Sequence, residues 1–342
     1  MTGLRGWAIR HPHLRWGLPL ALALGALAAL VLTANPTMVV GVITRFRPVF
    51  LVPVIALSVG FYVLQGVRWW TLLRASDIRI RLVDTVLLTL SGQATALLPL
   101  GEATRSLLVA RVTDSGVGSV VATETVQELL FVMVLFAAAI PGAGHYRVVL
   151  IGVVIALAVI ALIAATLTLD PAFQVVHRLV ARAPVVRRGI AGIDELRQYW
   201  MRLLRRRDTY AWLWISVLQA GMAITMLWLV VTALDPGKLS WVDAALTYAV
   251  TQGAGWLGLT PGGLGAAELS TAGFLVLLGL SYSLGAGTAL LFRLADKGLA
   301  TLIGLLVFAA IRRRYQLSGV SLLQLRQSGH GRRPPAPAAA RG

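Results

Sequence analysis

The sequence predicts an all-α, polytopic membrane protein of about eight hydrophobic elements, two of them broken and set in opposite halves as an inverted repeat. Three observations predict it. First, 57% of the 342 residues are hydrophobic and only 13% are charged, and the mean hydropathy is +0.78. A soluble chain of this length cannot hide so much apolar surface, and several runs approach the roughly 20 residues needed to cross a bilayer. Second, two apolar segments are interrupted alike: Leu97-Leu98-Pro99-Leu100-Gly101-Glu102, and Leu259-Thr260-Pro261-Gly262-Gly263-Leu264-Gly265 with Glu268 just after. Third, the arginines fall between the apolar runs, where they act as orientation signals.

Taken in order, residues 1–15 carry Arg5, Arg10 and Arg15 and are expected in the cytoplasm. The apolar run from Trp16 to Ala34 is long for a signal peptide, and Asn35-Pro36 follows without a small-x-small cleavage site, so it reads as an uncleaved first helix. Further spans are expected at 48–67, 118–140, 147–169, 211–234 and 285–311, with the broken segments at 83–112 and 242–280. Arg68, Arg74, Arg79 and Arg81 put the loop after the second span inside; Arg45 and Arg47 in the first outer loop run against the rule. Residues 170–210 hold Arg178, Arg182, Arg187, Arg188, Arg197, Arg202, Arg205, Arg206 and Arg207. Keeping them inside requires segment 83–112 to enter the membrane and return to the same face. Its return leg, Ala103 to Val112, spans only about 15 Å, roughly half the hydrocarbon thickness. A re-entrant hairpin follows.

The second broken segment enters from outside, because Arg312, Arg313 and Arg314 belong inside. Its legs suit either a deep hairpin or two full helices. Within 170–210, Val186, Ile190, Ile193, Leu196, Trp200 and Leu203 recur at helical spacing. That pattern fits an amphipathic helix on anionic inner-leaflet lipids, or equally a linker helix packed on protein. Trp69, Trp70, Trp212 and Trp214 fall at span ends, as interface anchors do. Residues 315–342, basic and Pro/Ala-rich, read as a disordered cytoplasmic tail.

Several chemistries are excluded. The chain has no cysteine, so disulfides, thiolate metal sites and cysteine nucleophiles are ruled out. The histidines at 11, 13, 145, 177 and 330 form no ligand pattern, and neither a metal nor a cofactor is expected. The net charge of +17 comes without a nucleic-acid recognition motif.

The candidate site is the set of polar residues at membrane depth. Pro99, Gly101, Pro261, Gly262, Gly263 and Gly265 break helices where only protein or a water-filled cavity can satisfy the backbone. The glycines suit an anion-binding helix start. Glu102 lies at the start of the return leg, either as a helix-start carboxylate paired with Arg105 or, with Arg105, as part of a polar cavity. Glu268 occupies the matching place in the second half. Glu124 and Glu128, four residues apart, share one helix face, and Arg293 and Lys297 share another with Asp296 beside them. Such groups must pair across helices. An architectural ion-pair network, a headgroup-binding or proton-coupled cavity, and a dicarboxylate metal site are the three readings.

Two stretches carry a family resemblance. Pro99-Leu100-Gly101-Glu102-Ala103-Thr104-Arg105 with Glu124 resembles the first half of the lysylphosphatidylglycerol synthetase transmembrane, flippase-like family. Pro261-Gly262-Gly263-Leu264-Gly265-Ala266-Ala267-Glu268, then Leu278-Gly279 and Arg293, is similar to its second half. The resemblance covers roughly residues 15 to 314 and implies a flippase-like membrane domain at 16–314. In two-domain members that region moves an aminoacylated phospholipid between leaflets, and a separate soluble domain makes it. Only a short tail follows Arg314 here, so the resemblance implies translocation without the synthetase and does not name the lipid. The family pattern has an arginine after the first acidic position and an aspartate further on, where this chain has Thr125 and Glu128.

The expected function is translocation of a phospholipid or lipid-linked headgroup across the cytoplasmic membrane, by a non-enzyme with both termini cytoplasmic. The alternatives are a non-catalytic scaffold or regulator for envelope-building enzymes, and an intramembrane lipid-phosphate enzyme using Glu124 or Glu128 as base. The polar groups lie at membrane depth rather than in a loop constellation at one face, which favours the first.

Overall fold

In the computed structural model the described residues are 24–25, 28–30, 32–96, 103–113, 115–182, 190–205, 209–257, 263–311 and 315. Among them, from Pro36 onward, the chain forms thirteen α-helices and no strand. Five segments are long and apolar enough to cross a membrane: Pro48–Ala75, Val117–Ala143, Arg147–Thr168, Leu213–Leu234 and Tyr282–Ile311.

The order begins with α1 (Pro36–Ile43) and α2 (Leu51–Ala75), the latter entered through a 3-10 turn, Pro48–Phe50. Pro48 opens that turn, where its missing N–H has no intrahelical acceptor to lose. The first broken segment is α3 (Leu82–Gly92), a 3-10 extension (Gln93–Thr95) and α4 (Ala103–Val112). The long helices α5 (Val117–Ala143) and α6 (Arg147–Thr168) follow, then α7 (Asp170–Arg182), α8 (Ile190–Leu204) and α9 (Thr209–Leu234). The second broken segment is α10 (Trp241–Leu257) and α11 (Ala266–Leu277). The last rod is α12 (Tyr282–Arg293), a π turn (Leu294–Gly298) and α13 (Leu299–Ile311).

In both broken segments the two legs pack against each other. The legs of the first are about 22 and 15 Å long and those of the second about 25 and 18 Å, all short of the roughly 30 Å hydrocarbon thickness. The described legs of the second segment pack side by side as a helical hairpin, and residues 258–262 between them lie outside the described residues. Ser240 starts its first leg, accepting from the Asp243 amide at 3.1 Å. The first hairpin lies on α13, where a Cβ on Gly304 would collide with the backbone of Leu90, Gln93 and Ala94. The second lies against α5 and α12.

The main core joins α2, α5, α9 and α10, with Phe61 edge-on to Phe131 at 5.8 Å and Leu135, Ile224 and Leu227 fully buried. Helix α6 is the most hydrophobic span and the least covered; Val148, Ile151, Val154, Ile155 and Leu162 are exposed along it. For a membrane helix that face meets lipid tails.

Two local expectations change, and packing on protein, one of the two readings of segment 170–210, is seen for part of it. The second span does not stop at residue 67 but runs to Ala75, so Arg68 and Arg74 are helical rather than in a loop. Trp69 is not an interface anchor: it is fully buried and donates to Thr123 Oγ1 at 3.1 Å. Among the described residues segment 170–210 holds α7, α8 and the start of α9, and Leu196 and Trp200 of α8 pack on protein. Trp200 packs with Leu72, Ala75, Val126 and Leu167, and its indole donates to Thr168 Oγ1 at 2.9 Å. Arg197 pairs with Asp170 and stacks over Phe173 at 4.2 Å. Residue 186 and the tail beyond 315 lie outside the described residues.

Candidate functional site

Two ion clusters occupy the middle of the helix bundle. The first is built where α4 crosses α5. Arg105, in the first turn of α4, bonds Glu124 through Nε and Glu128 through Nη2, the latter at 2.8 Å. The four-residue spacing of the two glutamates puts both on the face that α4 covers. Ser106 donates to the second oxygen of Glu124. Arg105 also lies over the Trp69 ring at 5.6 Å, and Gly92 of α3 leaves no room between its own Cα and the Arg105 side chain. Arg105 and Glu124 side chains are 5% and 13% exposed, whereas Glu128 is 35% exposed. Glu128 lies about 16 Å from the start of α5, close to the centre of a bilayer.

The second cluster is built at the start of α11. Gly263 and Gly265 hold φ values of +71° and +83°, a conformation that side chains with a Cβ resist. This turn brings the Gly265 amide onto Glu268 Oε2 at 2.6 Å. The other oxygen of Glu268 faces Arg293 Nε at 3.0 Å. The glycine-rich helix start was expected to offer its amides to an anion; the Gly265 amide is instead taken by the chain's own carboxylate. A Cβ on Gly263 would also come within 3.1 Å of Gly255, so the residue permits the close approach of the two hairpin legs.

Helix α2 joins the clusters with a polar stripe at positions 58, 62 and 65. Gln65 reaches Glu128 at 3.4 Å, Tyr62 donates to Asp296 Oδ1 at 2.8 Å, and Ser58 donates to the Ala295 carbonyl at 2.7 Å. Asp296 and Lys297 sit in the π turn, which re-aims side chains within an otherwise continuous helix. Lys297 lies 5.9 Å from the Tyr62 ring. Farther along α2, Arg68 is fully buried and donates to Ser216 Oγ at 2.8 Å. Among the described residues the network thus holds four cations, Arg68, Arg105, Arg293 and Lys297, against four anions, Glu124, Glu128, Glu268 and Asp296. Its charge is balanced, as burial in a membrane requires.

Between the second hairpin and α12 lies a cavity of about 20 Å³, lined by Tyr248, Gln252, Glu268, Thr271, Arg293 and Asp296 among others. It has room for about one water. Arg105, Glu124 and Glu128 do not line it.

Of the sequence candidates, Arg105, Glu124 and Glu128 come together, and so do Gly263, Gly265, Glu268 and Arg293. Pro99, Gly101, Glu102, Pro261 and Gly262 lie outside the described residues. Sequence reasoning missed Tyr62, Gln65, Arg68, Ser106, Tyr248 and Gln252. The signal for the first two was present: Ser58, Tyr62 and Gln65 repeat at helical spacing inside an apolar span. Among the described residues, no group of three or more acidic or histidine side chains is placed to hold a metal ion.

No curated protein matches this chain. A family model does, over residues 18–304: the one described as Lysylphosphatidylglycerol synthase TM region. The matched stretch takes in both hairpins, both ion clusters and the π turn, and with more than half of its length so matched the chain belongs to that family.

Proposed function

We propose that this protein moves an amphipathic lipid, or its polar headgroup, between the leaflets of the cytoplasmic membrane, with both termini inside. The observation that carries this is the charge-balanced polar network at mid-helix depth, bordered by two broken hairpins. Moving a lipid requires a substitute for water around its headgroup while the tails stay in hydrocarbon. Membership of a family named for a lipid-modifying synthase supports a role in lipid handling. The two hairpins, read as re-entrant elements from opposite faces of an inverted repeat, give a means of opening the network alternately to each side.

The geometry suggests how a headgroup engages. A cavity of about 20 Å³ admits no headgroup, so a headgroup entering there must part the second hairpin from α12. Arg105 is held by two carboxylates of unequal exposure, Glu124 at 13% and Glu128 at 35%. An incoming phosphate displaces the more exposed one, Glu128, whose charge is then held by Arg68 and Lys297 nearby. Each state keeps its charges paired, which is what makes alternation affordable in a low dielectric.

A second reading, a scaffold for envelope-building enzymes, is favoured by the mutual pairing of the network's charges. Purified protein in liposomes with headgroup-labelled lipids separates the two. Leaflet exchange above that of protein-free vesicles is expected, and Glu268→Gln is expected to reduce it while protein still accumulates in the membrane. No exchange with a broad lipid panel, with or without a proton gradient, refutes translocation. Loss of folded Glu268→Gln protein favours the architectural role.

A further inference from the structure

About 9 Å along α2 from Arg68 of the ion network, a separate groove gathers three arginines. Arg74, Arg79, Arg81, Asp84, Val112 and Thr113 line a space of about 640 Å³ at the foot of the first hairpin, where α2 ends, α3 begins and α4 ends. Volumes of about 300–1,000 Å³ are those of small-ligand sites.

The loop that carries the arginines is fixed at its backbone. Arg74 lies over the Trp70 ring at 5.0 Å, and the Trp70 indole donates to the Ile80 carbonyl at 3.0 Å. The loop between them is pinned by the Ile78 amide on the Leu73 carbonyl at 3.0 Å and by burial of Ile78. Asp84 is engaged by the Tyr315 hydroxyl at 2.5 Å. Arg79 and Arg81 are exposed and make no ion pair among the described residues. The first turn of α3, whose opening amides lack helical acceptors, forms part of the same wall.

Among the described lining residues three arginines face one carboxylate, an excess of +2 that matches a phosphomonoester at about −1.5 to −2. The flank of the groove decides the source of that phosphate. Leu82 and Val83 are 37% and 61% exposed immediately beside Arg81, an apolar strip that a soluble phosphate ester does not use and an acyl chain does.

We propose that this groove binds the phosphate of an anionic lipid, phosphomonoester lipids above all, and so forms a docking site on the membrane surface ahead of the translocation path. It rests on the lipid-handling reading only in taking the ligand to be a lipid. Binding needs no transport: a protein that binds here and moves nothing refutes translocation and leaves this site standing.

The test uses the full-length protein in neutral detergent at low salt, titrated with dioctanoyl phosphatidate, dioctanoyl phosphatidylcholine and glycerol 3-phosphate. Phosphatidate is expected to bind best. The double variant R79Q/R81Q is expected to weaken it about 30-fold, since each basic side chain at such a surface is worth about a factor of 5. The matched variant R45Q/R47Q, which removes two exposed arginines elsewhere on the surface, is expected to change it by less than about twofold. Equal losses in both double variants, or no loss in R79Q/R81Q, overturn the site. Equal binding of phosphatidylcholine overturns its charge selectivity, and displacement by glycerol 3-phosphate at matching concentration overturns the lipid assignment.

Discussion

Replacing Arg105 with glutamine removes the cation that faces both Glu124 and Glu128, and the structure sets the size of the effect. Breaking a buried ion pair by deleting one partner costs about 3–5 kcal/mol, because the remaining charge stays buried. Glu124, at 13% exposure and bonded otherwise to Ser106, bears most of that cost: about 3 kcal/mol. Glu128 is 35% exposed and still faces Arg68 and Lys297, so it adds about 1 kcal/mol. The expected total is about 4 kcal/mol, close to a thousandfold in the folding equilibrium. The double variant R105Q/E124Q removes the stranded carboxylate as well, and should recover about 2–3 kcal/mol of the loss. Unfolding of the purified protein by dodecyl sulfate titration in mixed micelles measures all four corners of this cycle. Arg105→Gln within about 1 kcal/mol of the parent, or a double variant no more stable than Arg105→Gln, refutes the claim that this triad ties the first hairpin to α5.

Further outcomes follow from single positions. Gly304→Ala should destabilise the protein by about 1–3 kcal/mol, because its Cβ meets the Leu90 carbonyl at 2.7 Å. Gly221→Ala, with nothing within 4 Å of the new Cβ, should be neutral or stabilising by up to about 1 kcal/mol in the same titration. Trp200→Ala should loosen α8 and raise trypsin cleavage within 183–208, whereas a helix held by lipid alone would show no such dependence on its contacts with Leu72 and Val126. For the proposed orientation, cysteines introduced singly at Gly192 and Gly144 of this cysteine-free chain report sidedness. An impermeant thiol reagent applied to intact cells should label position 144 and spare 192, and labelling of 192 would overturn the topology.

The long spans were legible because crossing a bilayer is a requirement on consecutive residues. Expected spans at 118–140, 147–169 and 211–234 fall on α5, α6 and α9 with ends displaced by only a few residues. The return leg, Ala103 to Val112, matches α4. Likewise the shared face of Glu124 and Glu128 followed from helical spacing, and both now meet Arg105. Arg68 shows where this logic stops. A charge at the end of an apolar run reads as the start of a loop, and nothing near it in the sequence reveals Ser216, the partner that accepts its hydrogen bond 148 residues away.

The sequence by itself determined which long stretches are apolar enough to cross a membrane, and that the ionisable groups set among them must find one another. Those are consequences of the cost of placing polar groups in hydrocarbon, and that cost is paid residue by residue. Only the tertiary structure decided the pairings: Arg105 with two glutamates of α5, Arg293 with Glu268, Tyr62 with Asp296, and the Gly265 amide closed by Glu268 rather than left for an anion. It also decided that Leu196 and Trp200 of α8 pack on protein. An ion pair is a matter of a few ångströms between atoms, and helices remote in sequence reach that distance only through the packing of all the others.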